Sequence, residues 1–145
     1  MTMSRILGID PGQRTGLAWF VDGRISNLET VPPHHVERIL RGVKPPAVVF
    51  EDSRLQPHTW TRGVSLAASS KMARNVGQID AWCILVQEVC HELSIACLGI
   101  SPREKGPKLD AREFAHMTGY AGKSNQHERD AAMVAWRYRN GFGGR

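Results

Sequence analysis

The sequence predicts an α/β fold, a mixed five-stranded sheet flanked by helices, built as a single domain over residues 1–145. Two short apolar runs, 6–9 and 17–20, are separated by a Pro-Gly pair, which is typical of an antiparallel hairpin. A third apolar run, 47–50, does not alternate with polar residues, as expected of a strand buried on both faces. A stretch of about thirty residues, 63–93, then has the apolar period of a helix.

The first half of the chain predicts a three-stranded meander followed by a helix. Asp22-Gly23 is a turn signal that leads into a third strand over 24–30. Pro32-Pro33 ends the meander. The helix expected over 34–41 is stopped by Gly42.

The second half predicts a parallel strand–helix–strand unit and two short helices. The helix over 63–93 is long enough to suggest a break near 75–77, and a right-handed crossover should join the strands that flank it. A strand is expected over 94–100 and a basic connection over 103–108. Two helices are expected over 111–118 and 126–138, followed by a loose tail over 139–145. Asp110 is expected to cap the first of these helices.

Composition limits the class of protein. The net charge of +5 is compatible with a polyanionic partner, although it is a weak signal alone. Three cysteines without a Cys-x-x-Cys pair argue against a structural zinc site and suit a reducing cytoplasm. With no leader and no apolar run of about 20 residues, we expect a soluble protein that does not associate with membranes.

Acidic residues follow two of the predicted strands, and others lie on the last helix. Asp10 and Glu51 each end a strand, so they meet at one sheet edge if those strands are neighbours. His127 and Asp130 are three residues apart and share a helix face. Carboxylate oxygens suit hard divalent ions, and two ions about 4 Å apart can clamp both oxygens of a phosphodiester displacement.

Each acidic position also has a simpler interpretation. Asp10 before Pro-Gly can merely start a turn, and Glu51 can be a solvated strand end. His127 can cap the last helix, while Asp130 can pair with a neighbouring base. The acidic site would be absent only if all of these simpler interpretations were correct at once.

The motifs resemble those of the RuvC family of Holliday-junction resolvases. They occur in the family's order and cover nearly the whole chain: Ile6-Leu7-Gly8-Ile9-Asp10-Pro11-Gly12, Phe50-Glu51, Val76-Gly77-Gln78, Ser101-Pro102-Arg103-Glu104-Lys105 with Lys108, and His127-Glu128-Arg129-Asp130-Ala131-Ala132. The first and last are fairly specific and the middle ones are weak. The resemblance implies an RNase H-like fold and a homodimer that resolves four-way DNA junctions by paired symmetric nicks, using two divalent metal ions.

The resemblance also implies roles for individual residues. Asp10 would bridge both Mg²⁺ or Mn²⁺ ions, Glu51 would hold one, and His127 and Asp130 would complete the catalytic site. The family often has Asp where His127 stands, and the softer nitrogen should favour Mn²⁺. The chain is shorter than typical cellular members, which suggests a phage or mobile-element variant acting in a bacterial or phage-infected cytoplasm.

Basic residues supply the expected DNA contacts. Lys105 or Lys108 would stabilise the scissile phosphate, or else both hold DNA backbone from a solvated loop. Trp60 is expected either to stack on an unpaired base or to fold over the core. The remaining predicted DNA-binding residues are Arg14, Arg62, Lys71 and Arg74, and Arg54 is expected to extend the same basic surface.

Alternative functions remain open at this level. The opening motif is similar in YqgF-type proteins that process structured RNA, and a junction-binding protein that no longer cuts is also compatible. The actin and Hsp70 ATPases share the opening but need two domains, which makes them a poor match. A second apolar stripe on the long helix, formed by Trp82, Leu85 and Val89, indicates either a deeply buried helix or the homodimer interface.

Overall fold

The chain is built on a five-stranded mixed sheet, as predicted, in which the third, second, first, fourth and fifth strands of the chain lie side by side in that order. The computed structural model describes residues 4–56 and 65–142. The strands are β1 (Arg5–Asp10), β2 (Thr15–Val21), β3 (Arg24–Val31), β4 (Ala47–Glu51) and β5 (Ala96–Ile100). The helices are α1 (Val36–Val43), α2 (Leu66–Glu92), α3 (Pro102–Lys105), α4 (Ala111–Thr118) and α5 (Gln126–Trp136).

The pairing of the strands follows from their connections. Short turns join β1, β2 and β3, which therefore run antiparallel to one another. The longer connections through α1 and α2 return the chain to the same end of the sheet, so β4 lies parallel to both β1 and β5. This arrangement makes β1 and β4 neighbours at the centre of the sheet.

Both faces of the sheet are covered by helices. Alternate residues of β1 point to opposite faces, so that Leu7 and Ile9 belong to the core cluster with α2, while Ile6 belongs to the cluster with α5. In β4, Val48 and Val49 divide between the two clusters in the same way. Burial on both faces explains why the β4 sequence does not alternate between apolar and polar residues.

The first helix ends later than predicted. It begins after a single 3₁₀ turn, Pro33–His35, and continues through Gly42 to Val43. Lys44 ends it in the left-handed conformation with φ +50°, and its backbone N–H donates to the Leu40 carbonyl. The expectation that Gly42 stops the helix is wrong because Lys44 adopts the left-handed cap that glycine usually provides.

The long helix α2 is continuous from Leu66 to Glu92, without the suspected break. Its buried residues, Cys83, Val86, Val89 and Cys90, all lie in its C-terminal half. The N-terminal half is largely exposed. None of the helices described in the structure combines the length and apolar character needed to cross a membrane.

The last two helices begin where their capping residues predict. Asp110 and Asn125 each accept a backbone N–H at the start of α4 and α5, and a glutamate three residues on completes a capping box in both. Beyond α5, the Arg139 guanidinium lies 3.9 Å from the centre of the Trp136 ring. Residues 143–145 of the expected tail lie outside the described residues.

Candidate active site

The two predicted strand-end acids lie side by side. Ile9 pairs with Phe50 in the parallel β1–β4 register, and Asp10 and Glu51 are the next residues of those strands. Both carboxylates therefore leave the sheet at the same edge. The fourth strand lies beside the first, which is the condition under which the sequence brings the two acids together.

The third acid reaches this edge from α5, which packs closely on the sheet. Asp130 is 6% exposed, and the neighbouring Ala131 and Ala132 belong to the core beneath the helix. Gly16 faces the backbone carbonyl of His127, and a Cβ atom at position 16 would collide with that carbonyl. A Cβ atom at position 8 would likewise collide with the backbone carbonyl of Ala131. These two glycines let the helix approach closely enough for Asp130 to join Asp10 and Glu51.

Lys105 lies between two of the three acids. Its ammonium Nζ is 3.0 Å from Glu51 Oε2 and 3.8 Å from Asp130 Oδ2. Only 11% of the Lys105 side chain is exposed. The sequence predicted this lysine beside the scissile phosphate or on a solvated loop, whereas the structure places it inside the acidic cluster.

The charges of the cluster are strongly coupled. The pKa of Asp10 is raised from 3.8 to about 7, first by burial and then by the charges of Glu51 and Asp130, while Lys105 acts against them. Burial tends to lower the pKa of Lys105, but the three carboxylates together, Glu51 foremost, outweigh it, so that the pKa of this ammonium is raised. The cluster therefore carries more negative charge than the lysine compensates.

Two further observations concern the carboxylate oxygens. Gln126 Nε2 donates a 2.8 Å hydrogen bond to Asp130 Oδ1, which fixes that side chain from one turn earlier in α5. Glu51 Oε2 is buried and has no hydrogen-bond partner within the described residues, since its contact with Lys105 is an ion pair without hydrogen-bond geometry. Among the described residues this oxygen is paired with the Lys105 ammonium alone, and a metal ion can take that place if the ammonium leaves. Sequence reasoning missed Gln126, although its spacing of four from Asp130 was a signal.

The side chains of the cluster do not surround a single point closely enough to bind an ion there. Among residues 4–56 and 65–142, no group of three or more His, Cys, Asp or Glu side chains is gathered closely enough to hold a metal ion. His127 lies half-buried in the first turn of α5. Within the same residues, no hydrogen bond or ion pair joins its imidazole to the three carboxylates. The structure thus brings Asp10, Glu51 and Asp130 together, and His127 lies one turn away from Asp130.

The predicted DNA-binding residues divide into three groups. Arg14 is exposed in the β1–β2 turn, directly after the strand that ends in Asp10. Lys108 is exposed between α3 and α4, yet close enough that its charge lowers the pKa of Asp10. Lys71 and Arg74 are exposed on the N-terminal half of α2. Trp60 and Arg62 lie outside the described residues.

A second charged network holds the chain just after Glu51. Asp52 accepts two hydrogen bonds of 2.8 Å from the Arg54 guanidinium, which also donates to Gln87 of α2. Ser53 donates to Asp80 of the same helix at 2.6 Å. Burial raises the pKa of Asp52, but the hydrogen bonds from Arg54 outweigh this and lower it. Arg54 thus fastens the end of β4 to α2, a role that the sequence did not reveal.

The fold is that of RuvC. A structure described as Thermus thermophilus RuvC in complex with Holliday junction substrate matches with a TM-score of 0.59 and 20% identity, over 93% of this chain and 92% of that one. A second Thermus thermophilus RuvC structure matches with a TM-score of 0.58 and 18% identity, over 92% of each chain. No protein-family model and no curated protein matches the sequence. The chain therefore has a RuvC-type, RNase H-like fold over nearly its whole length.

Proposed function

We propose that this protein is a metal-dependent, structure-selective DNA endonuclease that resolves four-way junctions by paired symmetric nicks. The observation that carries the proposal is the meeting of Asp10, Glu51 and Asp130 at one sheet edge from three distant parts of the chain. The likeness in fold to a RuvC bound to a Holliday junction supports the choice of substrate. The net charge of +5 suits a nucleic-acid backbone.

The residues of the cluster fit divalent metal ions in their chemistry. Their oxygen donors are those that Mg²⁺ and Mn²⁺ prefer. The buried oxygen of Glu51, which pairs with the Lys105 ammonium, and the negative charge that this lysine does not compensate both favour a cation. Asp10, Glu51 and Asp130 would hold two ions, with His127 completing the set. Such ions, when bound, lower the pKa of an attacking water and stabilise charge on the leaving oxygen.

The other residues bind and orient the DNA. Lys108 is exposed beside the cluster, where its ammonium can neutralise charge on a scissile phosphate. Arg14, at the same end of the sheet, can hold the backbone of one junction arm. Lys71 and Arg74 extend this basic surface along α2. These side chains would contact phosphates, which are the same in every DNA. Selectivity for a junction therefore has to come from the shape of the branched DNA.

The substrate is tested by competition. With labelled four-way DNA junction and Mn²⁺, we expect unlabelled junction to suppress cleavage at far lower concentration than structured RNA of equal charge. Preferential competition by the RNA would favour a YqgF-like RNA nuclease instead. Tight junction binding with no product at any Mg²⁺ or Mn²⁺ concentration would leave only a binding role.

The assignment of His127 as a ligand predicts a change in metal preference. His127→Asp replaces a nitrogen donor with a hard oxygen donor, and we expect the ratio of Mg²⁺-supported to Mn²⁺-supported cleavage to rise several-fold. His116→Asp, at an exposed position on α4, is the matched control and should leave the ratio unchanged. A ratio that His127→Asp does not alter would remove His127 from the ligand set.

Paired nicks require two active sites, and we propose that a second copy of the chain supplies the other one through α2. Three large apolar side chains of this helix are exposed, Leu66 by 84%, Met72 by 42% and Ile84 by 44%. Leu85, by contrast, packs against the protein's own core. The interface proposed here therefore uses the exposed side of α2 rather than the stripe that contains Leu85.

The dimer is tested at Ile84. Ile84→Arg places a charge in the proposed interface without disturbing the core, and we expect monomers by light scattering at concentrations where the wild type is dimeric. Met117→Arg is a matched control, because Met117 is 47% exposed on α4 and lies away from this surface. A dimer that survives Ile84→Arg and dissociates with Met117→Arg would place the interface on α4.

A further inference from the structure

We propose that Lys105 is an internal counter-ion of the carboxylate cluster, which competes with divalent metal for the space between Glu51 and Asp130 and is withdrawn when metal binds. This inference rests on the metal site proposed above and adds a step that precedes metal loading. In this scheme the same lysine serves two states of the protein. It neutralises the metal-free cluster and becomes free to approach DNA once the cluster holds metal.

The position of Lys105 is the first support. Its Nζ is 3.0 Å from Glu51 and 3.8 Å from Asp130, and the side chains of all three residues are at least four-fifths buried, with 11%, 17% and 8% exposed. Buried carboxylates without a compensating cation are costly. Within the described residues, Lys105 is the one base that forms an ion pair with either acid. An ammonium in this place therefore stabilises the metal-free fold.

The incomplete metal geometry is the second support. The donors that would hold an ion are present at the sheet edge, but among the described residues they are not gathered closely enough to do so. The ammonium between Glu51 and Asp130 accounts for this, because it occupies the space where their oxygens would converge on an ion. The position between these two oxygens has room for one cation, and a metal ion that enters it is repelled by the ammonium, so the two compete for that position.

The connection that carries Lys105 is suited to movement. Lys105 is the last residue of α3, a four-residue helix with no buried residues. Gly106 follows with φ +83°, a backbone conformation that favours glycine, and no atom lies within 4 Å of where its Cβ would be. The lysine also has a flexible four-carbon side chain. Its ammonium can leave the cluster without disturbing the packed core.

The first test measures Mn²⁺ binding by calorimetry, without DNA. Lys105→Met keeps the volume of the side chain and removes the competing charge, so we expect Mn²⁺ to bind about tenfold more tightly or better. Arg103→Met removes an equal charge from an exposed position on the same short helix and should change the affinity by no more than about threefold. Equal Mn²⁺ affinity in the wild type and Lys105→Met would overturn the inference and leave the proposed metal site intact.

The second test uses the wild-type chain and covers the case in which Lys105→Met does not fold. Brief acetylation followed by mass spectrometry reports the accessibility of each lysine. We expect saturating Mn²⁺ to increase labelling of Lys105 several-fold and to leave Lys108 unchanged. Lys105 labelling that Mn²⁺ does not increase would overturn the inference. Failure of Mn²⁺ to bind the wild type at all would overturn both this inference and the proposed metal-dependent function.

Discussion

Asp10→Asn is expected to reduce junction cleavage by about a thousandfold or more while changing junction affinity by no more than about threefold. Asp10 contributes a carboxylate to the centre of the cluster, whereas the basic residues proposed to hold DNA lie around it. The amide keeps the shape of the side chain but removes its charge. Cleavage is measured on a labelled four-way junction with Mn²⁺, and binding is measured by gel shift in Ca²⁺.

The same substitution should stabilise the metal-free chain. The folded-state pKa of Asp10 is about 7, above its ordinary 3.8, so the folded chain retains a proton that the unfolded chain has lost. The resulting stability is complete below the unfolded pKa and is lost as pH rises towards about 7. One pKa unit corresponds to about 1.4 kcal/mol. In EDTA at pH 8 we therefore expect Asp10→Asn to melt a few degrees higher than the wild type.

Glu104→Gln is the matched control for both effects, because Glu104 is an exposed carboxylate on α3. It should leave cleavage and melting temperature close to those of the wild type. An Asp10→Asn variant that loses junction affinity together with cleavage would contradict the separation of the two surfaces. A lower melting temperature in EDTA would contradict the electrostatic strain assigned to Asp10.

Gly16→Ala is expected to destabilise the fold by about 1–3 kcal/mol and to reduce cleavage more than the loss of folded protein explains. The new methyl group would meet the His127 carbonyl and the Ala131 side chain, so α5 has to move away from β2. Because Asp130 lies on α5 and Gly16 pairs with Asp10, this movement separates the two acids. Thermal unfolding and cleavage below the melting transition measure the two effects.

The Gly42→Ala variant tests whether the destabilisation expected of Gly16→Ala comes from the close approach of α5 to β2. Gly42 lies within α1, and no atom is found within 4 Å of where its Cβ would be. Alanine should therefore be tolerated there and stabilise the helix by up to about 1 kcal/mol. A Gly16→Ala chain as stable and as active as the Gly42→Ala chain would show that α5 does not depend on this contact.

Local patterns were sufficient to predict the sheet and two of its acids. Turn signals and apolar runs predicted all five strands, and the ends of β1 and β4 located Asp10 and Glu51 correctly. The capping residue Asp110 predicted the start of α4. The start of α5 at Gln126 was also predicted, but its cap is Asn125 and not His127. These features depend on residues that are neighbours in the sequence, which is why the sequence alone reveals them.

Features that depend on distant contacts were not predictable in the same way. Gly16 was interpreted as a turn residue, and its contact with α5 appears only when the helix is packed on the sheet. Lys105 was expected near a phosphate, because nothing in its local sequence indicates an ion pair with Glu51, more than fifty residues earlier. The sequence did not reveal that α1 ends at Val43 with Lys44 as a left-handed cap, because Gly42 is the residue type that usually ends a helix.

The most direct measurement of the proposed function is cleavage of a synthetic four-way DNA junction with Mg²⁺ or Mn²⁺, beside a linear duplex and a three-way branch of matched sequence. The proposal predicts paired symmetric nicks in the four-way junction, with 5′-phosphate ends that a ligase can seal, and no cutting of the duplex. Equal cutting of all three DNAs, or nicks that are unpaired and cannot be sealed, would contradict it.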